Sequence, residues 1–148
     1  MAIKSYYREP FAKRGILQPE VIKNYAEKLV RDYDVRTGSG VDTPMGSLSG
    51  GNQQKVLVAR EIGLNSVLMI FVQPTRGLDI GAISHIHHQI LDEREKGKAI
   101  LLISLELSEI MDLADTIGVI FRGELLKIED ASKMTPSEVG RYMMGVKE

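Results

Sequence analysis

A serine followed by two glycines and then by a helix-forming segment is the feature that most restricts how this chain can fold. Ser49 is a good N-cap, because its hydroxyl can accept a hydrogen bond from a backbone N–H two or three residues later. Gly50 and Gly51 carry no Cβ, so a ligand can approach their N–H groups closely. Such a loop at a helix N-terminus predicts an anion site, to which Lys55 can add a positive charge. Apolar residues then recur at helical spacing, at Val56, Leu57, Ala59, Ile62 and Leu64.

Ser-Gly-Gly by itself is also typical of a capped helix that follows a flexible loop, and the three residues do not separate the two interpretations. The longer run at residues 48–55, here called the signature segment, reads Leu-Ser-Gly-Gly-Asn-Gln-Gln-Lys. It resembles the signature motif of ABC transporter ATPases, in the Asn-for-Gln form that is typical of sugar-type importers. With the landmarks described below, the resemblance extends over nearly the whole chain.

The second half of the sequence alternates short apolar runs with helical patterns, which predicts a parallel α/β sheet. Each run is apolar along its length, so we expect strands that are buried on both faces. The turn at 122–124 should lead into an antiparallel return strand at about 125–129. The three runs lie at residues 67–72, 99–104 and 116–121.

Helix boundaries are marked by local signals. Pro19 can open a helix with an apolar stripe, and Asp79 can cap another. Thr135 with Glu138 three residues later predicts a capping box, and Gly145 is placed to end that last helix. The start of the chain shows no strand pattern and is expected to be irregular or weakly helical. We therefore predict a helical subdomain over 1–65 and an α/β portion over 66–148.

Composition excludes several function classes. The net charge of -1 and the scattered basic residues argue against nucleic-acid binding. No apolar run approaches the roughly 18–20 residues that span a bilayer, and the N-terminus has no signal-peptide pattern, so we expect a membrane role only through a partner. His85 and His88 share a helical face, but the chain has no cysteine and no third ligand at useful spacing. We predict no metal site there, and polar surface positions for the histidines.

The resemblance implies the fold of an ABC nucleotide-binding domain, in which a phosphate loop of the Gly-x-x-x-x-Gly-Lys-Ser/Thr type holds ATP. This sequence has no such loop; Gly97-Lys98 is followed by Ala99, and no phosphate-loop glycine precedes it. The chain therefore looks like a C-terminal fragment that begins in the helical subdomain. The fragment would continue with the C-terminal half of a mainly parallel sheet and a terminal antiparallel hairpin strand. The isolated chain is expected to be catalytically inactive.

Three further departures fall on positions that carry chemistry in the family. Pro74 and the residues after it align the family's Asp-Glu pair with Val72 and Gln73. Valine cannot ligate a metal, and glutamine cannot take a proton from water at neutral pH. The family's switch histidine aligns with Leu105, which has no donor for a γ-phosphate. Together the departures indicate a half-site that does not hydrolyse ATP, so no catalytic residue is predicted.

The intact signature segment implies a role in trans, in which it closes over ATP and Mg²⁺ held by the phosphate loop of a second nucleotide-binding domain. Gln-Pro-Thr-Arg-Gly-Leu-Asp at 73–79 is like the nucleoside and basic-membrane-lipoprotein branch, and 77–79 resembles the D-loop at the dimer interface. The expected partners are that second domain and transmembrane permease subunits, at the cytoplasmic face of the bacterial inner membrane. The predicted nucleotide-binding residues are Ser49, Gly50 and Gly51, which should contact the γ-phosphate, with Asn52 and Lys55 supporting them and Asp79 at the interface.

Two alternatives remain open on the sequence. One is a stand-alone ATPase, which the missing phosphate loop argues against. The other is a non-catalytic α/β interaction module that shares this half of the fold. The fragment is also expected to self-associate, because apolar strands with an open sheet edge can pair with another copy. The transported substrate is not encoded in these residues.

Overall fold

The computed structural model describes residues 1–146; residues 147 and 148, the end of the predicted α/β portion, lie outside the described residues. The described part confirms the predicted α/β class, with five α-helices and three two-stranded sheets among its elements. The chain divides into two compact units. The first comprises Met1–Met69 and Pro74–Ile100, and the second comprises Ile70–Gln73 and the chain from Leu101 onward.

In the described residues, a short hairpin and two helices precede the strands and helices of the α/β portion. Four single 3₁₀ turns connect or precede the longer elements in the described residues. In chain order, the elements are β1 Ala12–Lys13, β2 Ile16–Leu17, α1 Pro19–Asp32, α2 Gly50–Ile62, β3 Leu68–Val72, α3 Ile80–Glu95, β4 Ala99–Ile103, α4 Leu107–Leu113, β5 Thr116–Phe121, β6 Glu124–Asp130 and α5 Pro136–Met143.

The prediction of a strand-free start is wrong, because β1 and β2 form a short antiparallel hairpin. Arg14 and Gly15 connect the two strands with φ angles of 52° and 79°. Two consecutive residues with positive φ form a type I′ turn, and the twist of this turn matches the twist of the two strands that it connects. An arginine rarely takes this conformation, and strands of two residues are too short for a periodic pattern. The hairpin therefore left no signal in the sequence.

Three helices form the core of the first unit. Helix α1 begins with Pro19 at its first turn, as predicted. Helix α2 packs against α1 and α3, and its Ala59 is completely buried, as is Ile86 of α3. Glu93, near the end of α3, is buried and accepts hydrogen bonds from Lys96 and Lys98. Burial raises the pKa of the Glu93 carboxyl, but the two lysines outweigh burial and hold that pKa below its usual value.

Of the three apolar runs predicted to form a parallel sheet, β3 and β4 pair with each other, whereas β5 pairs with β6 in a separate antiparallel sheet. The N–H of Ala99 donates to Val67 O at 2.9 Å, and the N–H of Gln73 donates to Ile103 O at 2.8 Å, so β3 and β4 run in the same direction. In the second unit, this register sets apolar side chains next to one another on one face. We call that face the open face; its members Ile70, Val72, Leu101 and Ile103 are 59%, 61%, 49% and 48% exposed.

The expectation that the strands are buried on both faces is therefore wrong. In β3, burial alternates with exposure, and only Met69 and Phe71 are buried. Successive side chains of a strand point to opposite faces, so one packed layer buries every second residue. An apolar run in the sequence indicates that both faces of the strand are hydrophobic. It does not indicate that residues of this chain pack against both faces.

The second unit has its core between the β5–β6 hairpin and α5. The capping box is confirmed: Thr135 Oγ1 accepts from Glu138 N at 3.3 Å, and Glu138 Oε2 accepts from Thr135 N at 2.7 Å. Gly145 follows α5 with a φ of 82° and lies under the ring of Phe121, which confirms the predicted end of the helix. The buried cluster consists of Ile117, Val119, Met134, Val139 and Tyr142.

Candidate functional site

The candidate site is built on the N-terminus of α2. Ser49 is its N-cap, with Oγ accepting from Asn52 N at 3.4 Å and from Asn52 Nδ2 at 2.9 Å. The first helical bond runs from Gln53 N to Ser49 O at 2.9 Å. The side chain of Gln53 donates to Leu48 O at 2.9 Å, which fixes the loop residue before the cap. The predicted N-cap is therefore confirmed, and the signature segment is held by its own side chains.

Gly50 and Gly51 are the first two residues of α2. Gly50 is exposed, and Gly51 is half-buried. The N–H groups of the first turn of an α-helix have no acceptor within the helix, and they lie at the positive end of its dipole. A Cβ built on Gly51 would lie 3.5 Å from Ala82 Cβ and 3.9 Å from Asp79 Oδ2. These are ordinary van der Waals distances, so the first turn of α2 lies next to the start of α3.

Asp79 is the N-cap of α3 and lies beside the signature segment. Its Oδ1 accepts from Ala82 N at 2.9 Å, which confirms the predicted cap. Its Oδ2 is the oxygen that faces Gly51. The structure thus brings the N-termini of two helices together, with the predicted site residues of the signature segment on one and Asp79 on the other.

Lys55 lies one turn further into α2 and is buried. Its ammonium donates to Asp34 O at 2.9 Å and to Asp34 Oδ2 at 3.1 Å. The hydrogen bond from Lys55 lowers the pKa of the Asp34 carboxyl. The charge of Lys55 is thus paired with a residue at the end of α1.

Sequence reasoning missed the stretch immediately after α1, residues 34–36, here called the positioning segment. Besides the contact of Asp34 with Lys55, the N–H of Arg36 donates to Asn52 Oδ1 at 2.8 Å. Asp34 has a φ of 46°, a left-handed conformation that aspartate tolerates better than most residues. An aspartate directly after a helical pattern was the one available signal, and it does not identify a partner 21 residues away.

The positions that the sequence resemblance aligns with catalytic groups carry side chains without the matching chemistry. Val72 and Leu105 are 61% and 72% exposed and have no polar side-chain atoms. Gln73 has a φ of 51°, and its backbone is tied to β4. Neither the Val72 side chain nor the Leu105 side chain can hold a metal-bound water or donate to a phosphate.

The expectation that the histidines are surface residues is wrong for His85. It is half-buried, and its Nε2 is inaccessible and has no hydrogen-bond partner in the described part of the chain. Burial, together with the nearby charge of Lys55, lowers the pKa of His85. Its ring meets that of Tyr33 edge to face, with centroids 6.2 Å apart. Within residues 1–146, no three His, Cys, Asp or Glu side chains are grouped as metal ligands, and no helix is long and apolar enough to cross a membrane.

Solved structures identify the fold. The chain superposes on a dimeric ATP-binding cassette in a post-hydrolysis state bound to ADP and Pi, with a TM-score of 0.67 and 23% identity over 80% of this chain and 51% of that one. It also matches an ATP-binding subunit of an ABC transporter, with a TM-score of 0.69 and 19% identity over 86% of this chain and 56% of that one. The fold is that of the ABC ATP-binding cassette.

The chain also has sequence relatives among import ATP-binding proteins. The chain is 45% identical to the nucleoside import ATP-binding protein NupA of Lactococcus lactis over 98% of its length. It is 44% identical to the guanosine import ATP-binding protein NupO of Bacillus subtilis over 97%, and 39% identical to the glucose import ATP-binding protein TsgD13 of Haloferax volcanii over 98%. It spans 28%, 28% and 26% of these relatives, and no family model matches it. The chain is therefore similar to one part of several import ATP-binding proteins.

Proposed function

We propose that this chain is the C-terminal part of a nucleotide-binding domain whose signature segment contacts ATP held by another nucleotide-binding domain. The observation that carries the proposal is the N-terminus of α2. There the cap of Ser49 and the exposed first turn at Gly50 and Gly51 lie beside Asp79 of α3. This arrangement offers a hydroxyl, two backbone N–H groups and a positive helix end to one anion, without a lysine of its own at the surface.

The chemistry of a terminal phosphate fits this arrangement. A helix N-terminus binds phosphate through backbone N–H groups that point at the ligand, and the helix dipole favours the negative charge. Ser49 adds a side-chain donor, because Asn52 fills both acceptor positions of its hydroxyl and leaves the proton available. Asn52 and Lys55 support these groups from behind, and Asp79 stands at the interface with the other domain.

We propose that this chain does not supply the groups that hydrolyse ATP. Val72, Gln73 and Leu105 stand at the positions of the metal-binding, water-activating and switch residues of the resemblance. We therefore propose a degenerate half-site, in which ATP and Mg²⁺ are held and turned over at the site that the signature segment completes. The proposed domain division remains a helical subdomain at 1–65 and an α/β portion at 66–148.

The names of the relatives support a proposal for the biological role. These relatives are named as import ATP-binding proteins for a nucleoside, guanosine and glucose. We propose that the longer protein energises import of a nucleoside or simple sugar across the bacterial inner membrane. It would do so as a peripheral subunit on the cytoplasmic face, bound to permease subunits, with its second nucleotide-binding domain in the same polypeptide.

Cysteine protection tests the contact directly, because the chain contains no cysteine of its own. Ser49→Cys is placed in the full-length protein, with any cysteines outside this chain replaced, and is labelled with a maleimide with and without a non-hydrolysable ATP analogue and Mg²⁺. We expect the nucleotide to slow labelling strongly. Ser137→Cys is the matched control, since Ser137 is exposed in the first turn of α5. Equal labelling of Ser49→Cys with and without nucleotide would refute the proposal.

A further inference from the structure

The positioning segment touches the signature segment at two points. One is the pair of hydrogen bonds from the Lys55 ammonium to Asp34, and the other is the hydrogen bond from the Arg36 N–H to Asn52 Oδ1 at 2.8 Å. These contacts join residues that are 21 and 16 positions apart in the chain. Both belong to the first unit, so they are part of one packed body.

The first contact fixes where the positioning segment lies. The Lys55 side chain is only 11% exposed, so its ammonium has little access to water and depends on Asp34 for compensation. It also lies at the C-terminal end of α1, where a positive charge is favoured by the helix dipole. The left-handed backbone of Asp34, with φ of 46°, turns the chain so that both its carbonyl and its carboxylate face Lys55.

The second contact fixes the orientation of the Asn52 carboxamide. A backbone N–H can only donate, so the Arg36 N–H must meet the oxygen of Asn52. With the oxygen of the Asn52 carboxamide fixed in this way, the direction of its amino group is fixed too, and this group donates to Ser49 Oγ at 2.9 Å. The N–H of Asn52 donates to the same oxygen at 3.4 Å.

These bonds decide what the Ser49 hydroxyl can do. A hydroxyl has two acceptor positions and one proton to donate. Asn52 occupies both acceptor positions, so Ser49 cannot turn its proton toward Asn52 and must donate it elsewhere. The chain of hydrogen bonds from Arg36 through Asn52 therefore presents the Ser49 hydroxyl as a donor.

We propose that Asn52 is a positioning residue, which acts through Ser49, and that the backbone of residues 34–36 sets its orientation. This inference rests on the proposed function, because it concerns the same phosphate contact. Asn52 does not need to touch the phosphate; its task is to hold the Ser49 proton in the direction of the ligand. A donor that is already oriented does not have to reorganise when negative charge develops on the phosphate.

A double-mutant cycle on ATP turnover tests the proposal in the full-length protein with its permease subunits. Ser49→Ala alone should lower kcat by about 100-fold or more, the usual loss when one positioned donor is removed. Asn52→Ala alone should lower kcat by at least about 10-fold, since the hydroxyl remains but is no longer oriented. In the Ser49→Ala background, Asn52→Ala should have almost no further effect, because the group through which it acts is gone.

Matched variants separate orientation from folding. Asn52→Gln keeps an amide donor and acceptor and should recover much of the turnover that Asn52→Ala loses. Asn24→Ala removes an exposed asparagine of α1 and should leave kcat and KM unchanged. Melting temperatures are measured for every variant, so that a loss of folded protein is recognised. KM for ATP should change far less than kcat in Asn52→Ala, because the phosphate loop of the other domain holds the nucleotide.

The outcomes separate a failure of the proposed function from a failure of the positioning role of Asn52. Wild-type turnover in Ser49→Ala would refute the proposed function and this inference with it. A large loss in Ser49→Ala, combined with either no loss in Asn52→Ala or losses that multiply in the double variant, would overturn this inference alone. Strong non-additivity with partial recovery in Asn52→Gln would support it.

Discussion

Ser49 gives the sharpest test of the account, since one oxygen serves both the helix cap and the proposed phosphate contact. Ser49→Ala removes a cap bond that is long, 3.4 Å from Asn52 N, so the loss of unfolding free energy should be about 0.5–1 kcal/mol. Loss of a positioned donor should raise the activation free energy by about 2.7–4 kcal/mol, or about 100- to 1,000-fold in rate. The effect on turnover should therefore exceed the effect on stability.

Thr135→Ala is the matched control for the cap. Thr135 Oγ1 accepts from Glu138 N at 3.3 Å at the start of α5, and the residue is exposed like Ser49. Both variants should lower the melting temperature by a similar few degrees, but only Ser49→Ala should lose ATP turnover. The measurements are ATPase rate and melting temperature of the full-length protein with its permease. Equal turnover in the two variants would refute the role of Ser49 and leave it a helix cap only.

A larger side chain at the same position should act more strongly. Ser49→Arg adds bulk where the two domains are proposed to close on ATP, and should abolish turnover while leaving the protein folded. Adding Val72→Asp, Gln73→Glu and Leu105→His to that variant should not restore turnover, because those positions belong to the other half-site. Recovery of ATPase activity in the combined variant would contradict the assignment of the two half-sites.

Four further outcomes are expected. Calorimetry of the isolated chain should detect no micromolar binding of Mg-ATP, because the chain contains no phosphate loop. The isolated chain should self-associate in light scattering through its open face, and Ile70→Thr should weaken this association. Gly145→Ala should destabilise the second unit by about 1–3 kcal/mol, since the new Cβ would lie 2.7 Å from Phe121 Cζ on a backbone with φ of 82°. Burial raises the pKa of Glu93, but the hydrogen bonds from Lys96 and Lys98 outweigh burial and hold that pKa below its usual value, so the folded carboxylate binds fewer protons than the unfolded one. The unfolding free energy should therefore fall below about pH 4.3, and Glu93→Gln should flatten that decrease.

Each of these outcomes has a result that would contradict it. A micromolar dissociation constant would show an ATP site within this chain. A clean monomer at high concentration would mean that the open face does not pair copies. Gly140→Ala is the control for Gly145→Ala, since its Cβ would meet nothing within 4 Å, and an equal loss in both would remove Phe121 from the explanation. An unchanged pH slope in Glu93→Gln would show that other carboxyls determine the acid response.

Local signals predicted the helices and their caps well. Ser49, Asp79 and Thr135 all cap helices as predicted, because an N-cap depends on residues within three positions of each other. The hairpin at Arg14 was missed, since its turn requires an arginine in a left-handed conformation that sequence patterns do not indicate. The positions of β3 to β6 were predicted and the burial of these strands was not, because burial depends on what packs against each face.

In the candidate site as well, features formed by adjacent residues were predicted, and contacts between distant residues were not. The N-terminus of α2 was predicted because the serine and two glycines are adjacent in the sequence. The contact of Gly51 with Asp79 depends on packing between two helices, and the resemblance alone suggested that the two belong together. The bonds from the positioning segment to Asn52 and Lys55 join distant residues, one of them through a backbone N–H. No side-chain pattern can reveal a partner that is a backbone group.

Photolabelling with the γ-azidoanilide of ATP tests the central claim most directly, because this probe carries its reactive group on the terminal phosphate. The full-length protein is labelled in the presence of Mg²⁺, digested and mapped by mass spectrometry. We predict label within residues 48–55, and its loss when the phosphate-loop lysine of the other nucleotide-binding domain is replaced. Label elsewhere in this chain, or label on the signature segment that persists after that replacement, would contradict a signature segment acting in trans.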